Sequence, residues 1–359
     1  MTVMAPGSAA GVDRAGAAPA AIAYSIIVPL FDCRDAGTRA LESALGQAFP
    51  RACYEVIVVV DARSDRAALL PLLARCDSVV AVDADFAAVE SEIALLDAGT
   101  LVARGEFLFF IEGHTVLAAH ALQRIHDALA RDPACALACG RRLNHATTHL
   151  GALIGGNNDA HELRARQRGN FTLGANCVIR RSLFGALGGF TATFQRFNET
   201  VLYQRALDAG VRVGTIDAVL CTHHNDAGFS WLVRLLVATG HAKARYYATL
   251  RGADRTLRTR HPVYRWLGST PAAMFAAVPL RIAGPSAILL AMALFCRFPS
   301  AAARVFKAGI GLTDVSGFCA ERAWGVWLAR NRAADARPSP WQHVDAAPAG
   351  AAIELERTA

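Results

Sequence analysis

Residues suited to metal binding follow directly after a short apolar segment of this chain. The segment Gly105 to Thr115 (GEFLFFIEGHT) contains Glu112, Gly113 and His114 at the end of its apolar run. An apolar run of this length, bounded by turn-forming residues, predicts a buried strand of a mostly parallel sheet. Alternation along a strand would place Glu112 and His114 on the same side. A carboxylate and an imidazole so placed suit a divalent cation that holds a substrate's diphosphate; a solvated polar turn is the alternative.

Three earlier segments predict further strands of the same sheet. They are Ser25–Asp32, Tyr54–Asp65 and Ser78–Asp85, and each ends in polar or acidic residues. Strands that alternate with helices predict βαβ units with right-handed crossovers. In open sheets of this class, ligands bind beyond the carboxyl ends of the strands, so Glu112 and His114 would lie at the mouth of a crevice. The intervening segments of helical composition are Thr38–Ala48, Arg66–Arg75 and Val89–Val102.

The order of these segments resembles that of the family 2 glycosyltransferases, which have the GT-A fold, a mostly parallel wound sheet of α/β class. The resemblance covers roughly Tyr24 to Tyr247. It rests on SIIVPLFD, VVVDARSD and DAGTLVARGEFLFFIEGH, then on NFTLGANCVIRRSLFGALGGF and FNETVLYQRALDAG. It implies an enzyme that transfers a sugar from a nucleotide-diphosphate donor to a hydroxyl acceptor. The cofactor that it implies is a divalent cation, Mn²⁺ or Mg²⁺, and an imidazole ligand favours Mn²⁺.

The chain departs from the family pattern at its acidic motifs. Glu112-Gly113-His114 stands where the family usually has Asp-x-Asp, and Asn198-Glu199 stands where it usually has Glu-Asp. A carboxylate remains at each place, and a neutral histidine ligates metal ions. We therefore expect an active enzyme with an altered metal site; a metal-independent or weakly active variant is the alternative.

The resemblance also implies roles for individual residues. Glu199 would be the general base that takes the proton of the acceptor hydroxyl, and direct displacement would invert the anomeric centre. The implied donor-binding residues are Pro29, Phe31, Asp61, Asp97 and Glu112. The implied acceptor-binding residues are Gly174, Asn176, Asn198 and Arg205. The implied metal ligands are Glu112, His114 and His223, the last from the segment CTHHND.

Several of these residues also fit structural roles. Glu199 suits the start of a helix, where the helix dipole favours a carboxylate, and Asp61 suits a helix cap. Gly174 and Asn176 suit a turn, and CTHHND suits a surface turn. The polar, Arg-rich stretch from Arg141 to Arg168, with His145, His149 and His161, predicts a mobile loop, and we assign these histidines no role.

Composition divides the chain into four parts. Residues 1–23 are rich in Ala and Gly and predict a disordered lead without a signal peptide. Residues 24–250 form the expected glycosyltransferase domain, residues 251–332 a basic and apolar helical region, and residues 333–359 a disordered tail. The nine cysteines are scattered, which indicates reduced thiols in a cytoplasmic protein.

The last third of the chain predicts membrane association. After residue 220 there are 17 Lys and Arg against 8 Asp and Glu, and the segment Trp266 to Cys296 is strongly apolar. Its uninterrupted part, Ile282 to Cys296, is too short to predict a spanning helix. Flanking Arg and Trp residues favour attachment to the cytoplasmic face of the inner membrane. A buried helical pair packed on the catalytic domain is the alternative.

The most specific expectation is inverting transfer from a UDP-linked sugar to a polysaccharide or lipid-linked acceptor in surface polysaccharide or glycolipid synthesis. HAKARYY (His241 to Tyr247) stands where processive synthases carry Gln-x-x-Arg-Trp, so transfer of single sugars is expected. A catalytically degenerate, sugar-nucleotide-binding scaffold at the membrane is the alternative. A dinucleotide enzyme is disfavoured because the first strand lacks a G-x-G-x-x-G turn. Nucleic acid is not an expected partner, since no basic face with interleaved aromatics is present.

Overall fold

A single mixed sheet forms the centre of the protein. The computed structural model describes residues 2–4, 22–30, 35–61, 67–82, 92–167, 176–190, 198–249 and 272–331. The nine strands are β1 (Thr2–Met4), β2 (Tyr24–Leu30), β3 (Tyr54–Asp61), β4 (Ser78–Val82), β5 (Phe107–Phe110), β6 (Thr115–Leu117), β7 (Leu137–His145), β8 (Cys177–Arg180) and β9 (Val213–His224). Their order in the sheet is β1-β4-β3-β2-β5-β8-β7-β9-β6.

The half of the sheet predicted from the apolar segments is parallel. Strands β4, β3, β2 and β5 are parallel neighbours, and β2 and β3 are buried along their whole length. Burial on both faces explains why their sequences are continuously apolar. The other half is mixed, since β8 is antiparallel to both β5 and β7, and β6 is antiparallel to β9. The expected α/β architecture is confirmed, with a less uniformly parallel sheet than predicted.

Helices cover both faces of this sheet. One core cluster includes Ile26, Val28 and Leu41, and the other includes Ile27, Leu95 and Leu202, so alternate residues of β2 face opposite layers. The helices of this domain are α1 (Asp35–Leu45), α2 (Leu70–Leu73), α3 (Glu92–Thr100), α4 (Ala121–Arg131), α5 (His149–Gln167), α6 (Arg181–Ala186), α7 (Asn198–Asp208) and α8 (Phe229–Thr249).

Thr2–Met4 lies in the predicted lead 1–23 and forms a strand antiparallel to β4; for the rest of that lead, disorder stays a prediction. One prediction about an irregular segment is wrong. The stretch Arg141 to Arg168, predicted to be a mobile loop, consists largely of the end of β7 and helix α5. The predicted tail 333–359 and the basic run that begins at Arg251 lie outside the described part of the chain.

Helix α5 begins with a cap that includes a distant residue. The Thr148 hydroxyl accepts a hydrogen bond from the Gly151 amide at 3.0 Å, which is an ordinary N-cap. The Asp226 carboxylate accepts hydrogen bonds from the backbone amides and hydroxyls of Thr147 and Thr148 at 2.8–3.1 Å. Because Asp226 follows β9, this cap attaches α5 to the end of that strand.

Two long helices complete the described chain, α9 (Ala272–Leu294) and α10 (Pro299–Asn331). Helix α9 continues through Pro279 and Pro285, so the apolar segment is longer than the sequence predicted. The stretch Phe275–Leu294 of this helix has 20 residues and a mean hydropathy of 1.7, and only 17% of its most apolar 18-residue window is buried. By length and composition it could cross a membrane. From the sequence, the apolar run Ile282 to Cys296 is too short to span a membrane. The observed helix is long enough to do so.

Helix α10 lies between α8 and α9 at close distance. A Cβ atom on Gly317 of α10 would overlap the carbonyl oxygen of Val237 on α8, and one on Gly284 of α9 would overlap Thr313 of α10. Ion pairs also join α8 to α10: His241 Nδ1 lies 2.8 Å from Glu321 Oε2, and Lys243 Nζ lies 2.6 Å from Asp314 Oδ2. Arg245 also pairs with Glu321. Three residues of the HAKARYY segment, His241, Lys243 and Arg245, therefore form ion pairs with α10.

Candidate functional site

Glu112 and His114 lie in a tight turn that follows β5. The amide of Thr115 donates to the carbonyl oxygen of Glu112 at 2.9 Å, which closes the turn. Gly113 passes so close to the carbonyl oxygen of Pro29, at the end of β2, that a Cβ atom there would overlap it. A side chain at position 113 would therefore move the turn away from the sheet. The two side chains do meet as predicted, although a turn rather than strand alternation brings them together.

Pairing of the next two strands brings His223 to the same turn. After the turn the chain continues as β6, which pairs with β9 so that Thr115 stands opposite His223. The amide of His224 donates to the carbonyl oxygen of His114 at 3.2 Å and fixes this register. The CTHHND segment, for which a surface turn was the alternative, is thus strand up to His224, and His223 is only 9% exposed.

The three predicted metal ligands converge within one small volume. Oε2 of Glu112 lies 2.8 Å from Nε2 of His223 and 3.7 Å from Nε2 of His114, and the two Nε2 atoms lie 2.9 Å apart. The rings of His114 and His223 meet edge to face, with centroids 4.5 Å apart. Ligand atoms about 2.0–2.2 Å from one ion are themselves about 3 Å apart when adjacent. The donor atoms therefore have the mutual spacing that a single divalent cation requires.

The electrostatics of this cluster favour an ionised carboxylate. Burial alone would raise the pKa of Glu112, but the positive charge and hydrogen bond of His223, followed by the charges of His114 and Arg142, lower it well below its usual value. A carboxylate that stays ionised at neutral pH is the form that ligates a cation. Nδ1 of His223 is buried and has no hydrogen-bond partner in the described structure, so its ring is positioned by packing and by its Nε2 contacts.

The cluster opens into a cavity of about 710 Å³ that has a polar end and an apolar end. This volume lies in the range of about 300–1,000 Å³ that is usual for small-molecule sites. Polar lining residues come from α1, β7, α5 and the end of β9: Arg39, Arg142, Asn157, Asn158, His224 and Asp226. Apolar lining residues come from α5, α8 and α10: Ile154, Trp231, Leu232, Leu235, Leu236 and Ile310.

A chain of amides stiffens the polar end of the cavity. Asn225 Nδ2 donates to Asn144 Oδ1 at 2.9 Å, and Asn158 Nδ2 donates to Asn225 Oδ1 at 3.1 Å. His224 does not join the metal cluster; its ring meets that of His145 at a centroid distance of 5.0 Å. Burial, followed by the charge of Arg39, lowers the pKa of His224, so it is neutral at physiological pH. These contacts join β7, α5 and β9 into one wall.

Two of the predicted donor-binding residues lie at strand ends. Pro29 is the next-to-last residue of β2 and lies beside Gly113, and Asp61 ends β3 with 6% exposure. Asp97 lies on α3, and a Cβ atom on Gly189 would come within 3.9 Å of its Oδ1. Phe31 lies outside the described residues. Among these positions, Glu112 is the one that lines the cavity as described.

The predicted acceptor-binding residues make structural contacts. Nδ2 of Asn176, a 2% exposed residue, donates to the Gly140 carbonyl at 2.7 Å. Arg205 Nη1 donates to the carbonyl oxygens of Leu187 and Gly189, across a turn whose glycines have positive φ. Asn198 begins α7 and is buried, and Gly174 lies outside the described part of the chain. Acceptor binding by these residues stays a prediction.

Glu199 lies in the first turn of α7, as the helix-start alternative expects. Helix α7 packs through Leu202 and Ala206 on the core layer that contains Phe110, three residues before Gly113. Glu199 is not one of the described cavity-lining residues, and residues 191–197 before it lie outside the described structure. Its role as general base stays a prediction.

The polar residues of α5 were not predicted. Asn157, Asn158 and Glu162 lie on a segment with Gly151, Gly155 and Gly156, which lower helix propensity. The apolar set Leu150, Leu153 and Ile154 on its buried face does not continue along the helix. The local signal for this helix is the Thr148 cap on Gly151. The Asp226 contribution to that cap is invisible in the sequence, because 77 residues separate Asp226 from His149, the first residue of α5.

Comparisons with known proteins bear on this site. No curated protein sequence matches the chain significantly. Among solved structures, a mannosyltransferase from Pyrobaculum calidifontis, in complex with GDP-Man and Mn²⁺, superposes with a TM-score of 0.57 at 18% identity, over 84% of this chain and 87% of that one. TarS from S. aureus matches with a TM-score of 0.45 at 14% identity, over 86% of this chain and 92% of that one, a likeness too weak to argue from. The first likeness supports the GT-A fold.

A family profile covers most of the catalytic domain. Residues 8–235 match the profile described as Glycosyl transferase family 21. The match includes the cluster of Glu112, His114 and His223, helix α5, helix α7 and the start of helix α8. The predicted glycosyltransferase activity is therefore confirmed. The family that matches is family 21, whereas the motifs had indicated family 2. The protein is a glycosyltransferase, and the chain belongs to glycosyl transferase family 21.

Proposed function

We propose that this enzyme transfers a sugar from a UDP-linked donor to a hydroxyl acceptor with inversion at the anomeric carbon. The observation that carries the proposal is the convergence of Glu112, His114 and His223 at the edge of a wound sheet, in a chain of this family. The P. calidifontis mannosyltransferase of similar fold was solved with the nucleotide sugar GDP-Man and Mn²⁺, which supports a nucleotide sugar as the donor.

The donor atoms at this edge fit a divalent cation, Mn²⁺ in preference to Mg²⁺. One carboxylate and two imidazoles would hold it, and nitrogen ligands favour the softer ion. When bound, the cation supplies Lewis-acid stabilisation of the leaving diphosphate. The protein's own contribution is to keep Glu112 ionised and both Nε2 atoms within 3.7 Å of its carboxylate oxygen.

Glu199 is proposed as the general base for the acceptor hydroxyl. Its position at the start of α7 places the carboxylate near the backbone amides of the first turn, where a negative charge is stabilised. A carboxylate that stays ionised until the acceptor arrives is suited to accept the proton as the new glycosidic bond forms.

The acceptor is proposed to be a growing surface polysaccharide or a glycolipid, reached at the cytoplasmic face of the inner membrane. Support comes from α9, whose Phe275, Val278 and Ile282 are 83%, 69% and 65% exposed. The basic residues Arg281, Arg297, Arg304 and Lys307 are exposed nearby, which suits anionic headgroups. The competing buried helical pair leaves such an apolar face unexplained.

Transfer of one sugar per binding event is the expected mode. In the segment His241 to Tyr247, where processive synthases carry their Gln-x-x-Arg-Trp motif, His241, Lys243 and Arg245 pair with carboxylates of α10. These side chains are engaged in helix packing. Growth of a polymer on a single enzyme encounter would contradict this part of the proposal.

Release of nucleoside diphosphate tests the proposed reaction. We expect the full-length protein with Mn²⁺ and a panel of UDP- and GDP-sugars to release diphosphate in the presence of membrane lipid extract. Glu199→Gln should lower kcat by about 10²–10⁴-fold, the usual contribution of a general base. Gln204→Glu, which places a carboxylate on the same helix away from its first turn, should not restore activity to the Glu199→Gln enzyme.

A degenerate scaffold at the membrane is the second candidate. It is favoured by the departures from the acidic motifs and by the absence of Glu199 from the described lining of the cavity. Donor binding without turnover under every donor and lipid condition would support the scaffold. Equal rates for wild type and Glu199→Gln would remove Glu199 from the mechanism without affecting the donor assignment.

A further inference from the structure

We propose that Arg142 binds the diphosphate of the donor and that Glu162 holds its guanidinium while the donor is absent. This inference rests on the proposed function, because it names a residue of the same site. Neither residue belongs to the metal cluster, and both lie in the stretch for which the sequence predicted a loop.

The position of Arg142 on β7 directs it into the cavity. Strands β7 and β9 are parallel neighbours, with Arg142 opposite Cys221 and Asn144 opposite His223. The register shifts between Arg141 and Arg142, and such an irregularity redirects side chains locally. Arg142 lines the same cavity as Glu112 and His114, whereas its neighbour Arg141 is exposed and is not among the described lining residues.

The side chain of Arg142 is mostly buried, and its Nε atom has no hydrogen-bond partner among the described residues. Nε of Arg142 lies 3.5 Å from Oε2 of Glu162 on α5, and the two side chains are 14% and 12% exposed. That ion pair is too long for a good hydrogen bond, and Nε has no hydrogen-bond partner in the described structure. A buried charge with unused donors is costly unless a ligand completes its contacts. Glu162 offsets the charge but leaves the donors available.

The charges at the site favour a positively charged side chain beside the metal ion. A divalent ion with one carboxylate and two neutral imidazoles leaves one surplus positive charge. The diphosphate of a nucleotide sugar carries two negative charges and gains a third as the glycosidic bond to its oxygen breaks. Arg142 would supply a further positive charge and the planar, bidentate donor geometry that phosphate favours.

Arg39 is the other arginine that lines the cavity, and it fits this role less well. It lies on α1 and is exposed, so water already satisfies its donors and screens its charge. Arg142 lines the cavity with Glu112 and pairs with Glu162 of α5, and its side chain is only 14% exposed. Burial therefore selects Arg142 as the residue that contacts the leaving group.

Binding of nucleotides by full-length protein tests the proposal without requiring turnover. Calorimetry with Mn²⁺ would compare UDP and GDP with UMP and GMP. We expect Arg142→Gln to weaken binding of the preferred diphosphate by about tenfold or more and that of the matching monophosphate by less than about twofold. Arg142→Lys should recover part of the loss. The matched control is Arg141→Gln, one residue along the strand, which should bind all four nucleotides as wild type does.

Removal of Arg142 alone leaves Glu162 buried without its counter-charge, so the double variant Arg142→Gln/Glu162→Gln provides a neutral pair of similar shape. It should melt near the wild-type temperature and still lose the preference for diphosphate. Retention of that preference in a folded Arg142→Gln or double variant would overturn the role of Arg142 alone. A wild-type protein that binds no diphosphate more tightly than its monophosphate would overturn the proposed function, and this inference with it.

Discussion

At the scale of single residues, the site depends on one carboxylate held between two imidazoles. Glu112 is the sole carboxylate in the cluster recognised among the described residues, and its contacts to His223 and His114 are 2.8 and 3.7 Å. The usual Asp-x-Asp motif would supply two carboxylates from one turn. Here Glu112 and His114 come from one turn and His223 comes from β9, so the cluster depends on the pairing of β6 with β9.

Substitution of Glu112 tests this cluster directly. Glu112→Gln keeps the shape of the side chain and removes its charge. We expect the Kd for Mn²⁺ to rise at least about tenfold, because loss of residues that merely support a ligand already costs about 10–100-fold. Electron paramagnetic resonance of free Mn²⁺ would measure it. His224→Gln alters the adjacent imidazole, which meets the ring of His145 edge to face instead, and should retain Mn²⁺ affinity. Equal affinities for the two variants would exclude the cluster as the cation site.

At the scale of elements, the sequence predicted what local pattern determines. Strands β2, β3 and β5 were found because each is buried on both faces and therefore continuously apolar. Strand β4 was found from its apolar run, although Val80 is the only buried residue in it. Glu112, His114 and His223 were predicted as metal ligands from the resemblance, and the structure adds the strand pairing that brings the three side chains together. Helix α5 was missed because its glycines disfavour a helix and because Asp226, far along the chain, completes its cap. Arg142 was missed with it, since an arginine in a predicted loop gives no sign of burial.

Packing of the C-terminal helices provides a test at this scale. Gly317 and Gly311 both lie on α10, but only a Cβ atom at 317 would overlap the Val237 backbone of α8; that at 311 meets nothing within 4 Å. We expect Gly317→Ala to lower the free energy of unfolding by about 1–3 kcal/mol, the usual cost of overpacking. Gly311→Ala should be neutral or stabilising by up to about 1 kcal/mol, since alanine favours helix. Thermal melting of the full-length variants measures both, and equal melting temperatures would refute the close packing.

At the scale of the whole molecule, α9 presents an exposed apolar face that includes Phe275, Ile282 and Leu289. A triple variant, Phe275→Ser, Ile282→Ser and Leu289→Ser, would remove much of that face. We expect its partitioning onto vesicles of phosphatidylglycerol and phosphatidylethanolamine to fall at least about tenfold, because each buried large apolar side chain contributes about 1.5–3 kcal/mol. Flotation of the full-length protein with the vesicles measures this partitioning.

The matched control for the membrane face lies in the catalytic domain. Leu70, Leu101 and Leu163 are each about as exposed as the α9 residues, at 59–60%. Their replacement by serine should leave flotation unchanged, since isolated exposed leucines are ordinary on soluble surfaces. A similar loss in both triple variants would show that general stickiness, and not the α9 face, causes association with lipid.

The cap that Asp226 forms on α5 has a consequence for how this enzyme evolves. Asp226 lies three residues after His223, and burial opposes its charge while the amides and hydroxyls of Thr147 and Thr148 lower its pKa. The same short segment thereby connects His223 of the Glu112 cluster with the helix that carries Asn157, Asn158 and Glu162. Substitutions at the cluster and substitutions on this wall of the cavity are then coupled, so the two regions should vary together rather than separately.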